Sequence, residues 1–215
     1  DFINDISKSH VKYLCEPATN GPPTAQCSVF VTEDGERTMQ TFLGASVLLN
    51  ENDVKEEFFI NTSILFIEGY LWSSETAREA IKKAVKLAEK YNVIKVFSLS
   101  DSGLTEMFRE SFVNFVEKHI DILVGNTGEF MSLFGDSDFN VISEKVSLIV
   151  NKSVMTCGEN GAVFFENGNL KKFDAYSNNN IVDSTGAGDM FASGFLYKLN
   201  LNEKIEDCIK FGCKV

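Results

Sequence analysis

A chain of 215 residues, 44% hydrophobic and 24% charged, has enough apolar material for one large domain, or for one domain with a small appendage. Its formal net charge of −11 excludes the basic face that nucleic-acid binding requires, although a few backbone N–H groups can still hold a small phosphorylated ligand. No apolar run approaches the roughly 18 residues needed to cross a bilayer, so no membrane partner is expected. The two histidines, His10 and His119, exclude a multi-histidine metal site or a histidine-based triad, and Cys15, Cys27, Cys157, Cys208 and Cys213 fit no zinc spacing. The expectation is a cytoplasmic protein with reduced thiols.

Residues 2–10 read as the end of a helix. The turn-rich "EPATNGPPT" follows, and then "AQCSVFVT" and "RTMQTF", two β-rich stretches on either side of Glu33-Asp34-Gly35-Glu36. That pattern predicts an antiparallel hairpin. From residue 60 the pattern becomes βα. "SILFIEG" (63–69) reads as a strand, and Ala77, Ala80, Ile81, Ala84, Val85 and Ala88 form the apolar stripe of a helix over about 74–91. "VIKVFSL" (93–99) is the next strand, followed by one helix through Phe108, Phe112, Phe115 and Val116. "IDILVG" (120–125) is a third strand, "TGEFMSLFG" a short helix and "SVMTCG" (153–158) a fourth strand. Asn160-Gly161 turns the chain into "AVFFE", and Asn167-Gly168 turns it again into "LKKF". A helix to about 199 and another from about 203 complete the chain. Strands alternating with helices predict a mostly parallel sheet covered on both faces, and the 19 phenylalanines are expected mainly in its core.

"VDSTGAGDMFASGF" (182–195) carries the chemistry. It is not a Walker A loop, because no Gly-Lys-Ser/Thr occurs, and Gly186-x-Gly188 lacks the third glycine and the later acid of a dinucleotide fingerprint. Small residues at 186–188 before a helix let several N–H groups converge on one point, where the helix dipole favours an anion. Asp189 would repel that anion, unless it serves as a general base for a hydroxyl attacking a phosphoryl group. Taken alone, the same residues also fit a plain turn followed by an acid in the first helical turn.

The stretch resembles the C-terminal signature D-T-x-G-A-G-D of the ribokinase or PfkB-type sugar kinases, a family that includes adenosine kinases. Ser184 stands where threonine is commoner and keeps the hydroxyl. "NTGE" (Asn126–Glu129) is similar to the family's N-x-x-E and "TCGENG" (Thr156–Gly161) to its T-x-G-x-x-G, while "ERTMQTFLGAS" and "FIEGYLW" resemble the lid and substrate-strand segments of the adenosine kinase-like branch. The resemblance spans nearly the whole chain. It implies a ribokinase-like α/β core (residues 1–12 and 44–215) with a small β-rich lid (residues 13–43), and an ATP-dependent kinase acting on a primary hydroxyl of a sugar or nucleoside. An alternative in the same fold is a non-catalytic nucleotide-binding relative or an inactive fragment.

By the same resemblance Asp189 is the catalytic base, and the N–H groups of Gly186, Ala187 and Gly188 form the anion hole. Asn126 and Glu129 help place Mg2+ and the phosphates, often through water, and Thr156, Gly158 and Gly161 line the nucleotide site. Asp183 and the Thr185 carbonyl correspond to ligands of an activating K+ ion. Glu68 matches a sugar-contacting position, and Arg37 lies in the lid; on the residues alone both also fit solvated edge charges. Strand edges of such a lid pair between subunits in some relatives, which leaves a homodimer through the lid open, while the resemblance to the adenosine kinase-like branch, often monomeric, points the other way. The family's N-terminal portion, with its substrate-binding aspartate and Gly-Gly motif, and its last helices have no counterpart here, so the chain reads as truncated at both ends.

Overall fold

The computed structural model describes residues 2–14, 17–32, 37–176 and 185–215. A short helix α1 (Phe2–Lys8) buries none of its side chains. Strands β1 (Gln26–Val31) and β2 (Arg37–Phe42) then pair antiparallel, Gln26 opposite Phe42 and Val31 opposite Arg37, as the hairpin reading expects. The Asp34-Gly35 turn at its tip lies outside the described residues. Every residue of β1 is exposed, and Val29, Phe30, Val31, Met39 and Phe42 leave the ribbon apolar toward solvent. At its base the Ala45 N–H donates to the Pro23 carbonyl at 2.9 Å.

The main sheet has six strands in sequence order: β3 (Ile64–Glu68), β4 (Ile94–Ser98), β5 (Ile122–Asn126), β6 (Lys152–Thr156), β7 (Ala162–Glu166) and β8 (Asn169–Phe173). The first four run parallel, and β7 and β8 are added antiparallel, so the sheet is mostly parallel as expected. Successive side chains point to opposite faces. Phe97, Leu123, Met155, Val163 and Phe165 therefore enter one apolar layer, and Val96, Ile122, Val124, Val154 and Phe164 enter the other. This two-sided burial explains why the strands read as continuous apolar runs rather than alternating ones.

Helices α2 (Glu75–Lys90), α4 (Arg109–His119), α5 (Thr127–Phe134) and α6 (Phe139–Ser147) cover the first face. Their contributions include Ile81 and Val85, Phe112 and Phe115, Phe130 and Leu133, and Ile142 and Val146. Helices α7 (Ala187–Asn200) and α8 (Ile205–Gly212) cover the second, with Phe191, Phe195 and Ile209. Each fully buried side chain of this size contributes about 1.5–3 kcal/mol, an upper estimate because the unfolded chain is itself partly collapsed.

Three features differ from the sequence reading. The single helix expected through Phe108 is two, because Asp101 caps a short α3 (Ser102–Met107) and the chain re-enters helix at Arg109. Helix α6 was not expected, and residues 44–58 form short 3-10 turns. Most phenylalanines are buried or half-buried, but Phe2, Phe30 and Phe42 are exposed. Among the described residues Cys27, Cys157, Cys208 and Cys213 are free thiols, Cys15 lies outside them, and no helix is long and apolar enough to cross a membrane.

Candidate active site

The carboxyl ends of the four parallel strands open on one side of the sheet, where α/β sheets bind their ligands. Glu68, Ser98, Asn126 and Thr156 are the last residues of β3, β4, β5 and β6, and the register aligns Glu68 with Ser98 and Asn126 with Thr156. Helix α7 brings Gly188 and Asp189 against these ends. The result is a cleft of about 140 Å³ bordered by Glu68, Asn126, Glu129, Thr156, Gly188 and Asp189. Six positions singled out in the sequence from four separate segments thus meet at one place.

A second cavity, about 550 Å³, adjoins the cleft and is bordered by Thr156, Gly158, Gly161, Thr185, Ala187 and Gly188 together with Tyr176, Met190 and Phe191. Thr156, Gly188 and Phe191 line both spaces. The two cavities therefore meet at the first turn of α7, with Asp189 on the side of the smaller one.

Local chemistry explains this arrangement. Gly186 caps α7 with φ of 77°, a left-handed conformation that glycine adopts without steric cost, and no side chain caps the helix. Among the described residues, a Cβ placed on Gly188 would meet nothing within 4 Å. The first turn of α7 thus has open space beside Gly188 and no capping side chain, and a helix start of this kind can offer its N–H groups to an anion. Gly161 has a different reason for being glycine: at φ of 81° an added Cβ would lie 1.9 Å from the Phe173 carbonyl oxygen. Its absence lets the β6–β7 turn close on the end of β8, which sets one wall of the larger cavity.

Helix α5 starts differently. The Asn126 Oδ1 accepts the Glu129 N–H at 2.9 Å, while the Glu129 carboxylate accepts the Asn126 N–H at 2.9 Å and its side-chain amide at 2.8 Å. This is a reciprocal capping box. It leaves Glu129 only 5% exposed, and burial pushes its carboxyl above the ordinary value despite the backbone donor, with the Asp101 charge adding to the rise. Glu68 is raised too, first by burial and then by the charge of Asp189. A cation in the cleft would relieve both.

No group of three or more His, Cys, Asp or Glu residues able to hold a metal occurs among the described residues. A Mg2+ ion fits here on other terms. The buried Glu129 carboxylate faces the cleft with lone pairs left after its two hydrogen bonds, and Mg2+ keeps several waters and takes its remaining ligands from substrate phosphates. Asp183 lies outside the described residues. Arg37 is the first residue of β2, and its side chain lies outside the description.

Several lining residues were not anticipated. Tyr70 stands in the turn after β3, and its hydroxyl pKa is raised by burial and then by Asp101, Glu129, Asp189 and Glu68. Ser100 adopts φ of 70°, and its hydroxyl accepts the Gly69 N–H at 2.9 Å while donating to the Ser98 carbonyl at 3.3 Å. The available signal was "SLSDSG", a polar cluster directly after an apolar strand.

The sequence profile described as pfkB family carbohydrate kinase matches residues 1–215. A 5-dehydro-2-deoxygluconokinase of Listeria innocua is 29% identical over 178 residues, which is 78% of this chain and 54% of that protein. Among solved structures, a probable sugar kinase from Rhizobium etli superposes with a TM-score of 0.93 at 37% identity, covering 99% of this chain and 64% of the other. An adenosine kinase from Sinorhizobium meliloti gives 0.93 at 33% identity, covering 98% and 65%. The chain spans little more than half the length of such curated relatives, and its fold is that of the ribokinase-like kinases.

Proposed function

We propose, for a chain that belongs to the pfkB family of carbohydrate kinases, that the two adjoining cavities hold the two substrates of an ATP-dependent phosphoryl transfer. The observation that carries this reading is their junction: both are lined by Thr156 and Gly188, with Asp189 one residue further into the smaller space. The larger cavity suits a nucleotide, and the smaller one suits the hydroxyl-bearing end of a sugar or nucleoside.

In this reading the acceptor's primary hydroxyl lies against Asp189, which takes its proton as the oxygen attacks the γ-phosphorus. The bond to the β,γ-bridging oxygen breaks and ADP leaves. Charge on the transferred group is met by the N–H groups at the start of α7, at Gly186, Ala187 and Gly188, which need no reorganisation because the helix already aims them. Mg2+, when bound, neutralises phosphate charge, and Asn126 and Glu129 are the residues that would hold its water shell. Thr156, Gly158 and Gly161 border the nucleotide, and Glu68 accepts hydrogen bonds from acceptor hydroxyls. The ribbon β1–β2, with Arg37, acts as a lid that excludes water from the γ-phosphate. Its exposed apolar face supports closure on substrate or pairing between two subunits. Asp183 and the Thr185 carbonyl serve a K+ ion that stabilises the turn before α7.

A carboxylate beside an anion site favours a kinase over a purely binding relative, since a binder gains nothing from that repulsion. The test is ATP turnover by the full-length protein against ribose, fructose, adenosine and 5-dehydro-2-deoxygluconate, in K+, Na+ and tetramethylammonium buffers. Acceptor-dependent ADP release, fastest in K+, is the expected result. ATP binding without turnover on any acceptor would leave the non-catalytic reading, and equal rates in the three salts would remove the K+ assignment.

A further inference from the structure

On the face covered by α2, α4, α5 and α6, sharing no lining residue with either cavity, a groove of about 310 Å³ runs between α2 and α4. Its floor is apolar, formed by Trp72, Val85 and Phe115, with the Trp72 indole N–H donating to the Ser111 hydroxyl at 3.0 Å. Its rim is basic, carrying Lys82 and Lys86 from α2 and Lys118 and His119 from α4. On a chain of net charge −11, that concentration of cations around one apolar hollow runs against the general surface.

The rim cations are not all spent. Lys82 pairs with Glu79 at 2.7 Å and His119 with Glu89 at 3.2 Å. Lys86 and Lys118 are exposed and make no ion pair among the described residues, though Lys86 lies within electrostatic reach of Glu79. Two exposed ammonium groups, one on each wall, give the hollow a net positive rim, and the exposed edges of Trp72 and Phe115 with the lysine stems give it an apolar lining. The volume sits at the lower end of small-molecule sites, which limits the occupant to one or two rings.

We propose that this groove binds a small anion with a flat apolar body, such as an aromatic carboxylate, sulfonate or phosphate, at a site separate from the substrate cavities. The same turn, Gly69–Ser73, carries Tyr70 into the cleft and Trp72 into the groove, so the two sites share one short segment.

The test is calorimetric titration of the protein with naphthalene-2-sulfonate and with the neutral naphthalene-2-sulfonamide, each in the absence and presence of saturating MgATP. The expected results are a dissociation constant for the sulfonate below about 1 mM, binding at least tenfold weaker for the sulfonamide, and no displacement by MgATP. The double variant Lys86→Glu/Lys118→Glu should weaken the sulfonate at least tenfold with an unchanged Tm, because both side chains are exposed. Equal affinity for the neutral analogue, displacement by MgATP, unaltered binding in the double variant, or no heat at millimolar sulfonate would each overturn the proposal. None of these outcomes bears on whether the protein turns over ATP.

Discussion

Two helix N-termini border the same cleft and are finished in opposite ways. At α5 the Asn126–Glu129 box gives the Asn126 and Glu129 N–H groups internal acceptors and leaves a buried carboxylate facing the cleft. At α7 a left-handed glycine starts the helix without a capping side chain, and Gly188 faces open space. Both ends carry the same partial positive charge of about half a unit. What separates them is the capping side chain, and in the proposed reaction α5 faces the cation and α7 receives the anion.

Removing the carboxylate at α7 should give the largest effect. Asp189→Asn keeps the shape and the helix start but cannot take a proton, so kcat should fall by at least about 100-fold, with nucleotide affinity nearly unchanged. Steady-state rates together with ATP titration check this, and a variant retaining a tenth of the wild-type kcat would remove Asp189 from the mechanism.

Gly188→Ala probes the open donors. The added methyl meets no atom of the described residues, and alanine favours helix over glycine by up to about 1 kcal/mol, so Tm should hold or rise slightly. The same methyl stands where the two cavities meet, and kcat should drop roughly tenfold, about 1.4 kcal/mol of transition-state stabilisation. A lowered Tm would mean that Gly188 is needed for packing instead.

Asn126→Ala applies the converse at α5. Losing the Oδ1 cap and the side-chain amide's bond to Glu129 should cost about 1 kcal/mol of stability, near 2–4 °C in Tm for a domain of this size. Thermal melts of both variants sharpen the contrast: the α5 change should lower Tm and the α7 change should not.

This contrast was partly legible in the sequence. The small residues at 186–188 and the acid at 189 announced a helix start without a capping side chain, and "NTGE" carried the N-cap and third-position acid of a capping box. The parallel strands were legible because both faces are buried and their apolar runs are unbroken. Helix α6 was not, although Asp138 at its cap and Ile142 and Val146 on its buried face are visible in retrospect, because nine residues give too few turns for a clear period. The break at Phe108 was hidden by continuous phenylalanine spacing across it. Ser100 was signalled only by the polar cluster "SLSDSG" and Tyr70 only by its place in "FIEGYLW", since their position in the cleft depends on how β3 and β4 align.

The smallest expected effect is on pH. Glu68 is held above its ordinary value of 4.5 by burial and by Asp189. A carboxyl raised in the folded state binds more protons there than in the unfolded chain, so its stabilising contribution is fully present below the unfolded value and is lost as pH rises through the folded one. Glu68→Gln removes this dependence. Its Tm should match wild type below about pH 4.5 and exceed it by on the order of 1 °C at neutral pH, a small gain because solvent screens a half-exposed group. Asp189→Asn should also lower the Glu68 titration midpoint followed by carboxyl-carbon NMR. If the midpoint stays where it was, the two carboxylates do not interact across the cleft, and the acceptor hydroxyl would not lie between them.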